Sequence, residues 1–66
     1  MPTYLGKAVS DDYLQGLIAG YRDGYKGVDA NFEDGDQVII DRLSAEKVLT
    51  RDAATTLGAA DATAKG

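Results

Sequence analysis

Residues 15–27, QGLIAGYRDGYKG, decide how this chain folds. They place Gly16, Gly20 and Gly24 four residues apart, which is close to one turn of an α-helix. Glycine disfavours the interior of a helix by about 1 kcal/mol relative to alanine. The residues between the glycines nevertheless have a helical hydrophobic pattern, so these glycines need a compensating contact.

The pattern predicts a helix over residues 10–25. Ser10 can cap the first turn, and Asp11 and Asp12 follow it where the helix dipole favours negative charge. Large apolar residues then recur at helical spacing. They are Leu14, Leu17, Ile18, Tyr21 and Tyr25.

A helical wheel of about 100° per residue places the glycines between the large apolar face and the charged face. Small residues at this spacing let a second backbone approach closely. That backbone is either this chain's own C-terminal helix or another chain. The predicted interface contains Gly16, Leu17, Ile18, Gly20, Tyr21, Gly24 and Tyr25. Two alternatives stay open: these residues form the intramolecular core, or some of the glycines end the helix.

Residues 28–41 have two interpretations. Alternating apolar residues and the turn signal DG at 34–35 fit a short strand or hairpin. Ile39, Ile40 and Leu43 also fit one face of a helix, within an apolar segment at 37–43. A loop followed by a helix or a strand is slightly favoured over a full hairpin.

A second helix is predicted over residues 44–60, with Ser44 as its cap or with a restart at Thr50. Gly58 could end this helix early, because glycine disfavours the interior of a helix. Residues 1–9 are expected to be a flexible arm or a short docked strand, and residues 61–66 a frayed tail. The predicted fold is one mainly α domain over 1–66 with two or three helices and an acidic loop. The predicted apolar face of the second helix contains Ala45, Val48, Leu49, Ala53, Leu57 and Ala60.

The composition narrows the functional classes. A chain of 66 residues buries only about 60 % of its unfolded surface and is marginally stable. Cys and His are both absent, which removes disulfides, ordinary zinc sites and His-based catalysis. We therefore expect no enzyme, no cofactor and no small-molecule substrate, and we expect stability to come from a protein partner or a homo-oligomer.

The net charge of −4 disfavours binding to nucleic acid or to an anionic membrane. The longest run of apolar residues, at 38–40, is far too short to span a membrane. The expected location is the cytoplasm or a particle assembled there.

The acidic stretch at 29–41 has the composition of a calcium loop but not its register. An EF-hand needs glycine at its sixth position and a carboxylate at its twelfth. Counted from Asp29, the glycine comes one position late and the twelfth residue is Ile40. No metal site is therefore predicted. The oxygen-bearing residues concerned are Asp29, Asn31, Glu33, Asp34, Asp36 and Asp41.

These observations favour a non-enzymatic structural or assembly protein that acts through helix-mediated contacts with other proteins. A small accessory component of a virus or phage particle is one such class. The alternative is a small acidic inhibitor or regulator that binds a single host protein.

Overall fold

The computed structural model describes residues 2–33 and 35–65. Met1, Asp34 and Gly66 belong to the predicted arm, acidic loop and tail, and they lie outside the described residues. The chain forms a short hairpin and three helices, which confirms the predicted mainly α fold. The elements are β1 (Thr3–Tyr4), β2 (Lys7–Ala8), α1 (Asp11–Val28), α2 (Asp36–Ala45) and α3 (Arg51–Lys65).

Helix α1 begins where the sequence predicts and ends later. The backbone N–H of Tyr13 donates to Ser10 Oγ at 3.1 Å, so Ser10 is the cap. The helix continues beyond residue 25 to Val28, and the N–H of Asp29 closes it by donating to the carbonyl of Tyr25 at 2.8 Å. Gly24 does not end the helix, because it is buried against α3.

Helices α1 and α3 touch backbone to backbone. A Cβ added to Gly24 would lie 1.9 Å from the carbonyl oxygen of Thr55, and one added to Gly58 would lie 2.1 Å from that of Tyr21. Both distances are far below van der Waals contact, so each helix offers a glycine where the other approaches. Contacts advance in the same direction along both helices, since Gly20 meets Arg51 and Gly24 meets Thr55. The two helices therefore run roughly parallel.

The face that α3 buries differs from the predicted one. Ala54, Gly58 and Ala62 are buried at intervals of four residues, whereas Ala53 and Ala60 are exposed. The predicted face assumed one continuous helix from residue 44. The chain instead turns between α2 and α3, which resets the helical phase.

A helix replaces the strand or hairpin considered for residues 28–41. α2 spans Asp36–Ala45 and buries Ile39 and Leu43, in agreement with the loop-then-helix alternative. The β-branched residues at 38–40 favour a strand only weakly, because burial on one helical face outweighs that preference. The hairpin lies instead at residues 3–8, where Tyr4 is 3 % exposed and anchors it to the core.

Thr50, rather than Ser44, caps the C-terminal helix. Ser44 lies in the last turn of α2. The N–H of Ala53 donates to Thr50 Oγ1 at 3.2 Å at the start of α3, as in the alternative restart. Gly58 does not end α3, because it provides the contact with α1.

The expected frayed tail is helical over the described residues 61–65. Ala62 is 1 % exposed, and Asp61 joins all three helices. Both carboxylate oxygens of Asp61 accept hydrogen bonds from Arg42 of α2 at 2.9 Å, and one also accepts the hydroxyl of Tyr21 of α1 at 2.6 Å. The bonds from Arg42 are the main reason why the pKa of Asp61 is lowered.

Among the helices of the described ranges, none combines the length and the apolar character needed to cross a bilayer. Nor do three acidic side chains gather as a possible metal site anywhere in residues 2–33 and 35–65.

Candidate protein-binding groove

The predicted interface lies inside the single chain. Four of its large side chains are between 2 % and 5 % exposed and belong to the hydrophobic core: Leu17, Ile18, Tyr21 and Tyr25. Gly20 and Gly24 are buried against α3, while Gly16 is half-buried with nothing within 4 Å of an added Cβ. The close backbone neighbour of Gly20 and Gly24 is thus α3 of the same chain, in agreement with the intramolecular alternative.

A different surface has the features of a binding site. A groove of about 470 Å³ lies between the hairpin, the start of α1 and the α2–α3 connection. We call it the hairpin groove. The hairpin provides Tyr4, Leu5 and Lys7, and the α2–α3 connection provides Lys47 and Leu49. Val9, which precedes α1, and Tyr13 of its first turn complete the lining.

The apolar side chains that remain exposed are concentrated in the hairpin groove. Five large hydrophobic side chains are exposed among the described residues, and three of them line it. These are Leu5, Tyr13 and Leu49, at 39 %, 37 % and 61 % exposure. A concentration of exposed apolar groups in one concavity is typical of a contact surface, whereas single ones need no explanation.

Two tyrosines hold the walls of the groove together. The hydroxyl of Tyr4 donates to the carbonyl of Val48 at 2.5 Å, and the hydroxyl of Tyr13 donates to that of Leu49 at 2.6 Å. The two rings meet edge to face with centroids 6.5 Å apart. Burial, followed by the proximity of Tyr13, raises the pKa of Tyr4, so this hydroxyl keeps its proton and its bond. The groove is therefore pre-formed.

Leu5 lies at the tip of the hairpin in a left-handed backbone conformation, which asparagine and glycine adopt more easily than leucine. Leu5 and Gly6 have φ of 53° and 78°, and they connect the paired residues Tyr4 and Lys7. A two-residue turn with positive φ at both positions is of type I′, which prefers Asn-Gly. A leucine at the first position is strained by about 1 kcal/mol.

Lys47 is strained in the same way on the opposite wall. It has φ of 54° and occupies the position after the C-cap of α2, which is usually glycine. The N–H of Lys47 donates to the carbonyl of Ser44 at 3.1 Å, and that of Val48 to the carbonyl of Leu43 at 3.0 Å. These two bonds define a Schellman motif. Val48 and Leu43 are both buried and supply its usual hydrophobic contact.

Leu5 and Lys47 are the only non-glycine residues with positive φ in the described part of the chain. Both line the hairpin groove. This site could not be predicted from the sequence. Positive φ is usually indicated by glycine or asparagine, and here leucine and lysine occupy the two positions. The LG pair at residues 5–6 between short apolar segments was the one available hint of a turn.

The charges of the groove contrast with the rest of the surface. All three arginines form ion pairs: Arg22 with Asp36, Arg42 with Asp61 and Glu46, and Arg51 with Asp23. Lys7 and Lys47 form no ion pair with the described residues and both line the groove. The groove is therefore cationic in a chain whose net charge is −4.

Comparison of the chain with protein-family models, with curated proteins and with solved structures gives no match.

Proposed function

We propose that this protein is a non-enzymatic structural or assembly protein that binds a segment of another protein in the hairpin groove. The face of α1 that the sequence favoured for such contacts is covered by α3. The groove offers exposed apolar side chains on walls that are fixed by the hydroxyls of Tyr4 and Tyr13. That combination supports a protein ligand, because a rigid apolar surface loses little entropy on binding.

The observation that carries the proposal is the pair of strained residues. Leu5 and Lys47 each keep a long side chain at a backbone position where glycine would cost less free energy. Strain of this kind is maintained mainly at sites where a side chain has a function. Both side chains line the same concavity, on different elements of the fold. That the protein is a component of a virus or phage particle stays a prediction. The alternative, an inhibitor that binds a single host protein, stays a prediction as well.

A peptide-display selection tests this proposal. A random peptide library is selected against the immobilised full chain, and the recovered peptides are measured on Leu49→Ser and on Val38→Ser. Val38 is a matched control, because it is 53 % exposed on α2 and does not line the groove. We expect peptides that bind wild type and Val38→Ser equally and lose binding to Leu49→Ser. Recovery of no specific peptide, or equal binding to all three proteins, contradicts the proposal.

A further inference from the structure

We infer that the hairpin groove selects an acidic apolar segment of a partner protein, with one large apolar side chain flanked by carboxylates. This inference rests on the function proposed above and adds the chemistry of the partner. It depends on the charges, the apolar surface and the hydrogen bonds of the groove.

The charge of the groove determines the sign of the partner. Lys7 lies on β2 and Lys47 on the α2–α3 connection, so positive charge comes from two separate walls. The arginines are paired with carboxylates of the chain itself, so they offer a ligand little further positive charge. A ligand with carboxylates on both sides of its apolar group can pair with both lysines. A basic ligand meets two like charges there.

The apolar lining determines the centre of the ligand. Leu5, Val9 and Leu49 line the groove together with the two tyrosines. The tyrosine hydroxyls already donate to backbone carbonyls of the α2–α3 connection, so these donors are engaged within the chain. Apolar contact and charge therefore remain as the sources of selectivity. A volume of about 470 Å³ accommodates a side chain as large as Phe together with its neighbours.

A second copy of the chain fits the groove less well. Its large apolar side chains that are exposed outside the groove, within the described residues, are Val28 and Val38, and both are short. Two copies would also bring together two net charges of −4. Nucleic acid is disfavoured by that same net charge, which repels a phosphate backbone. An acidic apolar peptide is also repelled by the net charge, but it is short enough to hold its carboxylates beside Lys7 and Lys47, where the groove itself is positive.

Defined peptides test the inference. A synthetic peptide carries Phe-Leu at its centre and a pair of acidic residues on each side. A basic version replaces those acids with lysine, and a polar version replaces Phe-Leu with serine. Each is titrated into the isotopically labelled full chain while the backbone amide shifts are followed by NMR. We expect the acidic peptide to shift the amides of Lys7, Lys47 and Leu49, and to bind about tenfold more tightly than the other two.

Charge reversal provides the matched control. The double variant Lys7→Glu/Lys47→Glu should prefer the basic peptide, whereas Lys26→Glu should keep the wild-type preference, since Lys26 is exposed near the end of α1 outside the groove. Added salt should weaken binding of the acidic peptide. Circular dichroism establishes that each variant is folded.

Equal binding of the acidic and basic peptides, or a preference that survives the double reversal, overturns the inference about charge. The proposed function then still stands if the display selection gave groove-dependent peptides. Amide shifts in the groove that depend on protein concentration, with no response to any peptide, identify a second copy as the occupant and overturn the inference. Display failure together with an absence of peptide response contradicts both proposals.

Discussion

Replacing Gly24 with alanine should destabilise the fold, although alanine is the better helix former. The substitution gains about 1 kcal/mol of helix propensity. Its Cβ would lie 1.9 Å from the carbonyl oxygen of Thr55, about 1.5 Å short of ordinary contact. That oxygen belongs to the backbone, so no side-chain rotation relieves the overlap. The helices must separate, and overpacking of this kind costs about 3 kcal/mol.

The net expectation is a loss of about 2 kcal/mol in the free energy of unfolding, in a domain that has only about 5 kcal/mol. Gly16→Ala is the matched control, because nothing lies within 4 Å of its added Cβ. It should stabilise α1 by about 1 kcal/mol, which raises Tm by about 4–8 °C in a chain of this size.

Urea and thermal unfolding followed by far-ultraviolet circular dichroism measure both variants. Gly16→Ala should melt above wild type, and Gly24→Ala should melt well below it. If Gly24→Ala were as stable as Gly16→Ala, the close approach of α1 and α3 would be refuted.

Three further outcomes are expected, each measured by urea unfolding. Lys47→Gly should raise the free energy of unfolding by about 1 kcal/mol, because glycine relieves the positive φ; a loss of stability would contradict this. Tyr4→Phe should lower it by about 1–2 kcal/mol, since the buried hydroxyl no longer donates to Val48, and an unchanged value would show that this bond contributes nothing. The pKa of Asp61 is lowered in the folded state by Arg42, so its contribution is present above the unfolded pKa of about 3.9 and is lost as pH falls through the folded value. Wild type should therefore lose more stability on acidification below about pH 4 than Asp61→Asn does, and parallel losses would contradict the role of this carboxylate.

The features of the fold that could be predicted from sequence are local ones. The cap at Ser10 and the apolar stripe of α1 each follow from residues within a few turns of one another. The end of α1 could not be predicted in the same way. The sequence around Gly24 is the same whether this glycine ends the helix or packs against another helix. Only the contact with Thr55, seen in the structure, distinguishes these cases.

The α2–α3 connection shows a second limit of sequence reasoning. A Schellman motif is normally recognised in a sequence by the glycine after the C-cap, but Lys47 occupies that position here. Without the glycine signal, a continuous helix over 44–60 competes with the restart at Thr50, and the continuous helix places Ala53 and Ala60 on the wrong face. The hairpin was missed for a related reason, because Leu5 stands where a type I′ turn prefers asparagine.

The candidate site depended on the same two residues. From the sequence, the glycine face of α1 is the natural choice of interface, and its expected close backbone neighbour is present at Gly20 and Gly24 but absent at Gly16. That neighbour is α3, because Gly58 provides the complementary gap. The strain at Leu5 and Lys47, on which the proposed site depends, is visible only in backbone angles.

The role of the strained Lys47 side chain is tested by measuring the affinity of Lys47→Gly for a peptide that binds the hairpin groove, by calorimetry, together with the free energy of unfolding of this variant. We expect this variant to be more stable than wild type and to bind the peptide at least about fivefold more weakly, since the side chain kept under strain is the one that contacts the ligand. A variant that is more stable and retains the wild-type affinity would contradict this role.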